Sequence, residues 1–540
     1  MVNRNKDSVD QQRRKSLRLL AGAGAAAGLG YLGWTALSDS SDETELQRRL
    51  ALAELDRLGN TPVRGGRIRV ASLSISTADT LDPAKGSLST DYVRHNMLYN
   101  GLTRFDEHLD AQPSLAQSFS SSDQTTWLFE LQPGVEFHDG KSLHADDVVY
   151  SLLRHKDPAT ASKGAAVAAQ FSAVRARGPL QVEIELNGPN ADLPQILATS
   201  HFTIIQDGTK EFRTAIGTGP FKLKEFVPGV RTIVERNENY WREGRPYLDE
   251  IELIGIPDET ARVNALLSGD VQLIIAVNPR SIRRINQTPG FAVKETPSGL
   301  YTNLIMRQDM YPSSNPDFVL AMKYLMDRDL IKRALFRGYA TIGNDHPVPP
   351  SHRFYASDLP QRPHDPDRAL YHLKKSGMTG ARYPLFASPA AEGSVDMATL
   401  LQLSASKVGL KLGVNRVPGD GYWSNHWMKH PLSFGNINPR PSLDLLFSLF
   451  FKSSAPWNES AWKNPQFDQL LLAARAEGDQ ARRKQMYVDM QTLIHNEAGI
   501  GVPVFLSLID GFDRRLGGLG SIPVGGLMGY SFAEHVWWHG

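Results

Sequence analysis

An α/β fold divided among more than one domain is what this sequence predicts, and three observations carry the prediction. The chain has 540 residues, more than one hydrophobic core accommodates, so two or three domains are expected. Short stretches with alternating apolar residues, the period of a half-buried strand, are interleaved with stretches whose apolar residues recur at i and i+4, the period of an amphipathic helix. Between residues 365 and 417 the two kinds follow as helix, strand, helix and strand (365–376, 383–387, 397–408, 411–417), a βαβ-like order that argues for a second α/β domain.

The first 38 residues read as a targeting segment. Gln11–Arg18 is basic, and Leu19–Leu37 is uncharged and rich in Ala, Gly and Leu, the layout of an export signal. Arg13-Arg14 with Leu17 resembles the twin-arginine motif, with Ser16 where Phe is preferred. An ordinary secretion signal with a chance Arg pair is the other reading. Leu19–Leu37 is also long enough to span a bilayer, so a retained anchor is a further alternative. Residues 39–64 read as a linker, polar and then amphipathic, closed by Thr61-Pro62.

Composition narrows the functions. The chain has no cysteine, which excludes disulfides, thiolate metal sites, thiol catalysis and a lipid-modified cysteine anchor. Without residues 1–38 the chain keeps 53 Lys/Arg against 56 Asp/Glu, about −3. That balance offers no basic surplus for nucleic acid or an anionic membrane. No GxxxxGK[ST] or strand-borne GxGxxG occurs; the Gly22-x-Gly24…Gly28 run lies inside the targeting segment.

The most informative stretch is Pro113–Arg154. Trp127, Phe129 and Leu131 share one face of a strand. Pro133-Gly134 makes a turn, Val135–Phe137 reads as a second short strand, and Asp139-Gly140 is a hairpin-type signal. A helix then opens with Asp146 and Asp147 in its first turn, at the positive end of the dipole. Val148/Leu152 and Val149/Leu153 give it apolar positions at i, i+4. Along the rest of the chain, strands are predicted at 67–70, 180–186, 221–226, 231–236 and from Val271. Helices are predicted at 91–98, 191–197, 258–267, 318–324, 329–336, 467–474 and 480–496.

As a linear pattern, Leu115-Ala116, Gly134-Val135, Phe137-His138-Asp139-Gly140, Ala145, Asp147-Val148-Val149 and Ser151 resemble the signature of the peptide/nickel family of extracytoplasmic solute-binding proteins of ABC importers. Gln132 stands where Arg or Lys is usual, and His144 replaces a helix-capping Thr. Gly217-Thr-Gly-Pro-Phe221, Asn237 through Trp241, Ser268-Gly269-Asp270 and Asp479/Arg483/Tyr487 extend the likeness over residues 65–510. The resemblance implies a two-lobed, hinged periplasmic-binding-protein fold of the large class, with an extra subdomain in the first lobe. It places lobe I at 65–303, lobe II at 304–500 and a return to lobe I at 501–540. It further implies a periplasmic, monomeric receptor that captures a peptide or related solute between its lobes. Its partners would be an inner-membrane permease and that permease's ATPase, with no cofactor and no nucleic acid.

The same resemblance nominates the ligand contacts. The Asp79–Pro83 loop, carrying Leu81 and Asp82, enters the family's cleft from the first lobe. Tyr301 and Asn303 lie where the chain crosses into the second. Asp420–Trp457 is the densest aromatic and polar stretch, the materials of a ligand pocket. Tyr422, Trp423 and Trp457 are expected to touch ligand from Gly/Asn/Pro-flanked loops, whereas Phe447, Phe450 and Phe451 read as core. Peptide-binding members carry an Asp after a Gly here, pairing with the ligand's ammonium; this chain has Gly435-Asn436, then Asn438-Pro-Arg440. Either Asp444 or another acid substitutes, or the ligand lacks an ordinary free N-terminus. Arg440 suits a carboxylate, so an opine-like or modified-peptide anion is a candidate beside peptides, sugars and metal chelates.

An enzyme reading, such as an exported hydrolase, finds no constellation. Fifteen histidines include no HExxH, and no G-x-S-x-G occurs. Asp146-Asp147 is explained by the helix dipole. His426 and His430, at i and i+4, are compatible with a metal pair or, flanked by Trp427 and Pro431, with a surface or cleft segment. No catalytic or metal residue is assigned.

Overall fold

The computed structural model describes residues 61–539. The targeting segment and the linker up to residue 60 lie outside them. A ten-stranded sheet runs through the molecule in the order Leu432–Ile437, Phe291–Met306, Val504–Asp513, Leu273–Ile274, Arg67–Ser72, Glu250–Gly255, Arg231–Arg236 and Phe221–Val227. Ala340–Ile342 and Ile500–Gly501 attach to its side. Arg67–Ser72 pairs in parallel with both its neighbours; the other pairs are antiparallel.

Two long strands carry the chain between lobes. The first half of Phe291–Met306 pairs with Ser507–Asp513; its second half pairs with Leu432–Ile437 and Ile500–Gly501. The register shifts between Pro297 and Leu300. Ser298 fills the break: its hydroxyl donates to the Leu506 carbonyl at 2.8 Å and accepts the Leu300 N–H at 3.0 Å. A β-bulge bends a strand locally, so the crossing is articulated where the two halves meet.

Separate cores sit on either side of the crossing. In the first lobe, Val263, Leu266, Ile274, Ile282, Ile285 and Ile509 pack beneath the sheet. A four-stranded antiparallel sheet, Ala116–Ser120, Thr126–Leu131, Gln181–Leu186 and Phe171–Gly178, forms a subdomain with its own core. Trp127, Phe129 and Leu131 point into that core, and Val148 and Leu152 of the helix Ala145–Leu153 close over it. Leu153 is left on the surface. Val135–Phe137 does not extend into a strand. Only Glu136 bridges, to Ser142, because the turn at Gly140 reverses the chain within three residues.

In the second lobe, residues 301–306 are buried on both faces. Leu304 and Met306 meet the core formed with helices Pro316–Leu325, Pro366–Ser376 and Ser394–Lys407. Tyr301 and Ile305 meet the opposite core, formed with Leu443–Phe450, Pro465–Ala476 and Gln480–Glu497. Phe447, Phe450 and Phe451 are buried there. The strands predicted at 383–387 and 411–417 form as Arg382–Ala387 and Lys411–Arg416, which pair in parallel around the helix Ser394–Lys407. The tail returns to the first lobe, where the Trp538 indole donates to the Arg67 carbonyl at 3.2 Å and Glu534 pairs with Arg242 at 2.6 Å.

Candidate functional site

Both lobes, the crossing strands and the C-terminal tail together line a cavity of about 970 Å³. The first-lobe wall is built on the helix Ser89–Leu98. Asp91 accepts the Ser87 and Leu88 N–H groups at 3.0 and 3.1 Å and pairs with Arg94 at 2.7 Å, which fixes the helix start. Val93 and Met97 are buried, and Tyr92 and Asn96, four residues apart, face the cavity. Such spacing stacks two side chains on one helix face.

Tyr92 packs its ring 5.4 Å from Tyr530 and 5.3 Å from His201. Tyr530 closes a run of left-handed residues at Leu527, Met528, Gly529 and Tyr530, with φ of 54°, 56°, 60° and 73°. For the non-glycine members this costs about 1–2 kcal/mol each. Asp510 of the crossing strand offsets part of that cost by accepting the Leu527 N–H at 2.6 Å. Burial pushes the Asp510 carboxyl up to about 7, against the pull of the Leu527 and Ala276 N–H groups.

The second-lobe wall comes from the end of strand Leu432–Ile437 and the turn after it, which present Asn436, Asn438 and Arg440. Asn436 donates to the Thr302 hydroxyl at 2.8 Å, and that hydroxyl donates to the Glu392 carbonyl at 2.7 Å. The Arg440 guanidinium lies 5.5 Å from the Phe450 ring centroid and, among the described residues, donates only to the Asn438 and Pro439 carbonyls, at 3.2 and 3.4 Å. Burial lowers its pKa, opposed by Tyr301 beside it and by Tyr92 from the other lobe.

The chain matches the profile "Bacterial extracellular solute-binding proteins, family 5 Middle" over residues 110–459. It belongs to that family. Among its relatives is the Glutathione-binding protein GsiB of Pectobacterium atrosepticum, 27% identical over 444 residues, covering 78% of this chain and 86% of GsiB. Among solved structures, Helicobacter pylori DppA in complex with peptide STSA has a TM-score of 0.72 at 22% identity, covering 88% of this chain and 99% of DppA. AgaA in complex with agropinic acid, from A. tumefaciens R10, has a TM-score of 0.69 at 22% identity, covering 88% of this chain and 99% of AgaA. These neighbours share the two-lobed α/β fold, and the protein is the solute-binding component of an ABC transporter. Its relatives are binding proteins rather than enzymes.

Of the residues expected at the ligand, this solute-binding protein brings Asn436, Asn438 and Arg440 to the cavity wall. The others do different work. Asp82 caps a short helical turn through Ala84 and is held by the Arg154 guanidinium at 2.8 and 2.9 Å, and Leu81 is buried behind it with its carbonyl bonded to Tyr99. Tyr301 is buried against Phe505 behind Arg440. Asn303 is fully buried and donates to Glu459 at 2.8 Å. Tyr422 is core, its hydroxyl spent on the Phe434 carbonyl at 2.7 Å. Trp423 and Trp457 are exposed but lie off the cavity. Asp444 does not substitute for the missing acid, because it is buried against Arg475 at 2.9 Å.

Other sequence-level candidates settle into local roles. Asp147 accepts the His144 and Asp207 N–H groups, both at 2.8 Å. His426 and His430 contact each other at 3.1 Å, with His430 stacked on Phe386. Among the described residues no group of three or more His, Asp or Glu could hold a metal ion. Tyr92, Glu392 and Asp510 were not foreseen at the cavity; the Tyr92/Asn96 polar pair opposite Val93 and Met97 was the one signal available.

Proposed function

We propose that this solute-binding protein is exported to the periplasm and captures an anionic, amino-acid-derived solute, a short or modified peptide. The closed monomer then hands the solute to a membrane permease driven by its ATPase, binding without turnover. The observation that carries this reading is the charge on the cavity wall. Arg104, Lys163 and Arg440 stand on it, and none forms an ion pair among the described residues. A guanidinium meeting only carbonyl oxygens keeps its full charge, and a carboxylate is its natural bidentate partner. The volume lies within the roughly 300–1,000 Å³ of small-ligand sites. Glutathione, a peptide and agropinic acid, the solutes named for three relatives, fit that class.

Export is supported by the basic and apolar N-terminal segment, for which the twin-arginine route is the preferred reading. No cysteine is present for a lipid anchor, and no described helix is long and apolar enough to cross a membrane. An opine-like anion is the second reading, favoured by Asn436 standing where peptide-binding members carry an acid. Mass spectrometry of small molecules released from the denatured protein tests the class. A thermal-shift panel of glutathione, tripeptides and opines follows; a solute at 100 times its Kd adds about 2.7 kcal/mol. Arg440→Ala is expected to weaken a carboxylate-bearing solute by about 2–5 kcal/mol. Release of a neutral sugar, or turnover of a peptide, would defeat the proposal.

A further inference from the structure

Four carboxylates stand on the cavity wall: Glu259, Glu392, Asp510 and Glu534. Three are committed. Glu259 accepts the Asn278 N–H at 3.1 Å. Asp510 holds the Leu527 N–H at 2.6 Å, and its other oxygen is sealed under the tail. Glu534 takes Arg242 at 2.6 Å and the Tyr240 hydroxyl at 3.2 Å. Glu392 is different. Among the described residues its side chain has no hydrogen-bond or ion-pair partner, and it keeps an exposed surface although protein surrounds it closely enough to raise its pKa. The open surface faces the cavity.

Its backbone is also fixed. The Glu392 carbonyl accepts from Thr302, which is held in turn by Asn436, so Glu392 is tied to the strand that leads to Asn438 and Arg440. Gly393 follows with φ of 72° and starts the helix Ser394–Lys407, directing the chain away from the wall. A carboxylate on a cavity wall with free cations, itself unpaired among the described residues, is left for water or a solute to satisfy.

We propose that Glu392 receives the ammonium of the solute, so that the transported molecule is an anionic zwitterion: one free ammonium at Glu392 and acid groups at Arg440 and the neighbouring cations. This rests on the proposed capture of an amino-acid-derived anion and adds the requirement for a free amine. Glutathione and trialanine, each free and N-acetylated, are the probes, titrated calorimetrically into the full mature chain. For whichever free probe binds, N-acetylation is expected to weaken it at least tenfold. Glu392→Gln should remove that preference by weakening the free form to the level of the acetylated one, whose affinity should not change. Glu392→Asp, which keeps the charge at shorter reach, should recover part of the loss.

Equal binding of free and acetylated probes, or undiminished binding of the free form by Glu392→Gln, would overturn the assignment. If Arg440→Ala still abolished binding, the anion reading would survive that failure. Binding of none of the four probes to the wild-type chain would sink the amino-acid-derived reading, and the role of Glu392 with it.

Discussion

Replacing Glu459 by glutamine should remove one source of pH sensitivity from the second lobe. Glu459 is 3% exposed, accepts the Trp427 indole at 2.7 Å and the Asn303 amide at 2.8 Å, and has no cation beside it among the described residues. Burial raises its pKa from 4.5 to about 7, and these two hydrogen bonds offset only part of the rise. At about 1.4 kcal/mol per pH unit, that gap amounts to about 3 kcal/mol.

The sign follows from proton counting. Below pH 4.5 folded and unfolded chains both hold the proton; between 4.5 and about 7 only the folded chain does, so stability falls as pH rises through the folded value. Glutamine cannot ionise but forfeits one acceptor, about 1 kcal/mol. The variant should therefore be less stable than wild type by about 1 kcal/mol near pH 4, below the unfolded value, and more stable by about 2 kcal/mol near pH 8.5. Urea unfolding followed by tryptophan fluorescence at both pH values measures the difference. Asp510 titrates in the same window, and Lys323, depressed by burial to about 7, acts oppositely above neutrality. The comparison with wild type cancels both. A variant-minus-wild-type difference that does not change with pH would refute the reasoning.

Two further substitutions probe different parts of the architecture. Asp345 is fully buried between Arg328, at 2.7 Å to both oxygens, and Arg362 at 2.8 Å, with Lys323 nearby. Asp345→Ala strands buried cations and should cost about 3–5 kcal/mol in urea unfolding; a loss below about 1 kcal/mol would show that the cluster relaxes. Asp192 of the first lobe pairs with Arg483 of the second at 2.6 Å, both buried. Asp192→Ala should leave the cavity wall intact yet weaken solute binding at least about tenfold, with a larger radius of gyration by solution scattering. Unchanged affinity and dimensions would remove that pair from closure.

Much of the scaffold was legible because its signals are local. Trp127, Phe129 and Leu131 alternate within five residues, and Gly134 and Gly140 take the positive φ their turns require, 74° and 86°. Strand Leu432–Ile437 was missed because both its faces are buried, which erases alternation. The cavity was less legible for a different reason. Arg440 was identifiable, since a resemblance marks the position and the residue type announces the chemistry. Tyr422 and Trp457 looked equally suitable by composition, yet one is core and the other lies on an outer face. Nothing in one dimension separates an aromatic that fills a cavity wall from one that fills the core. Glu392, Tyr92 and Asp510 lie in segments more than a hundred residues apart and are brought to one cavity by the crossing strands, so no spacing in the sequence joins them.

The free charges on the wall also bear on why the receptor should close only when loaded. Arg104 and Lys163 belong to the first lobe and Arg440 to the second, so closing an empty cleft drives unpaired cations toward one another as water leaves. Repulsion strengthens as the local dielectric falls. An anionic solute reverses that term, and it does so more in the closed form, where both lobes reach it, than in the open form, where one does. A ligand shifts a two-state equilibrium only by its differential affinity for the two states, and on the proposed reading the groups that recognise the solute also generate that difference. The register break at Pro297–Leu300 lies where the strand passes between the lobes, and the Asp192–Arg483 pair joins them by a contact that needs no ligand. If Asp192→Ala still closes on its solute, charge neutralisation in the cleft is sufficient; if it stays open with solute bound, the buried pair is the larger share of the closing free energy.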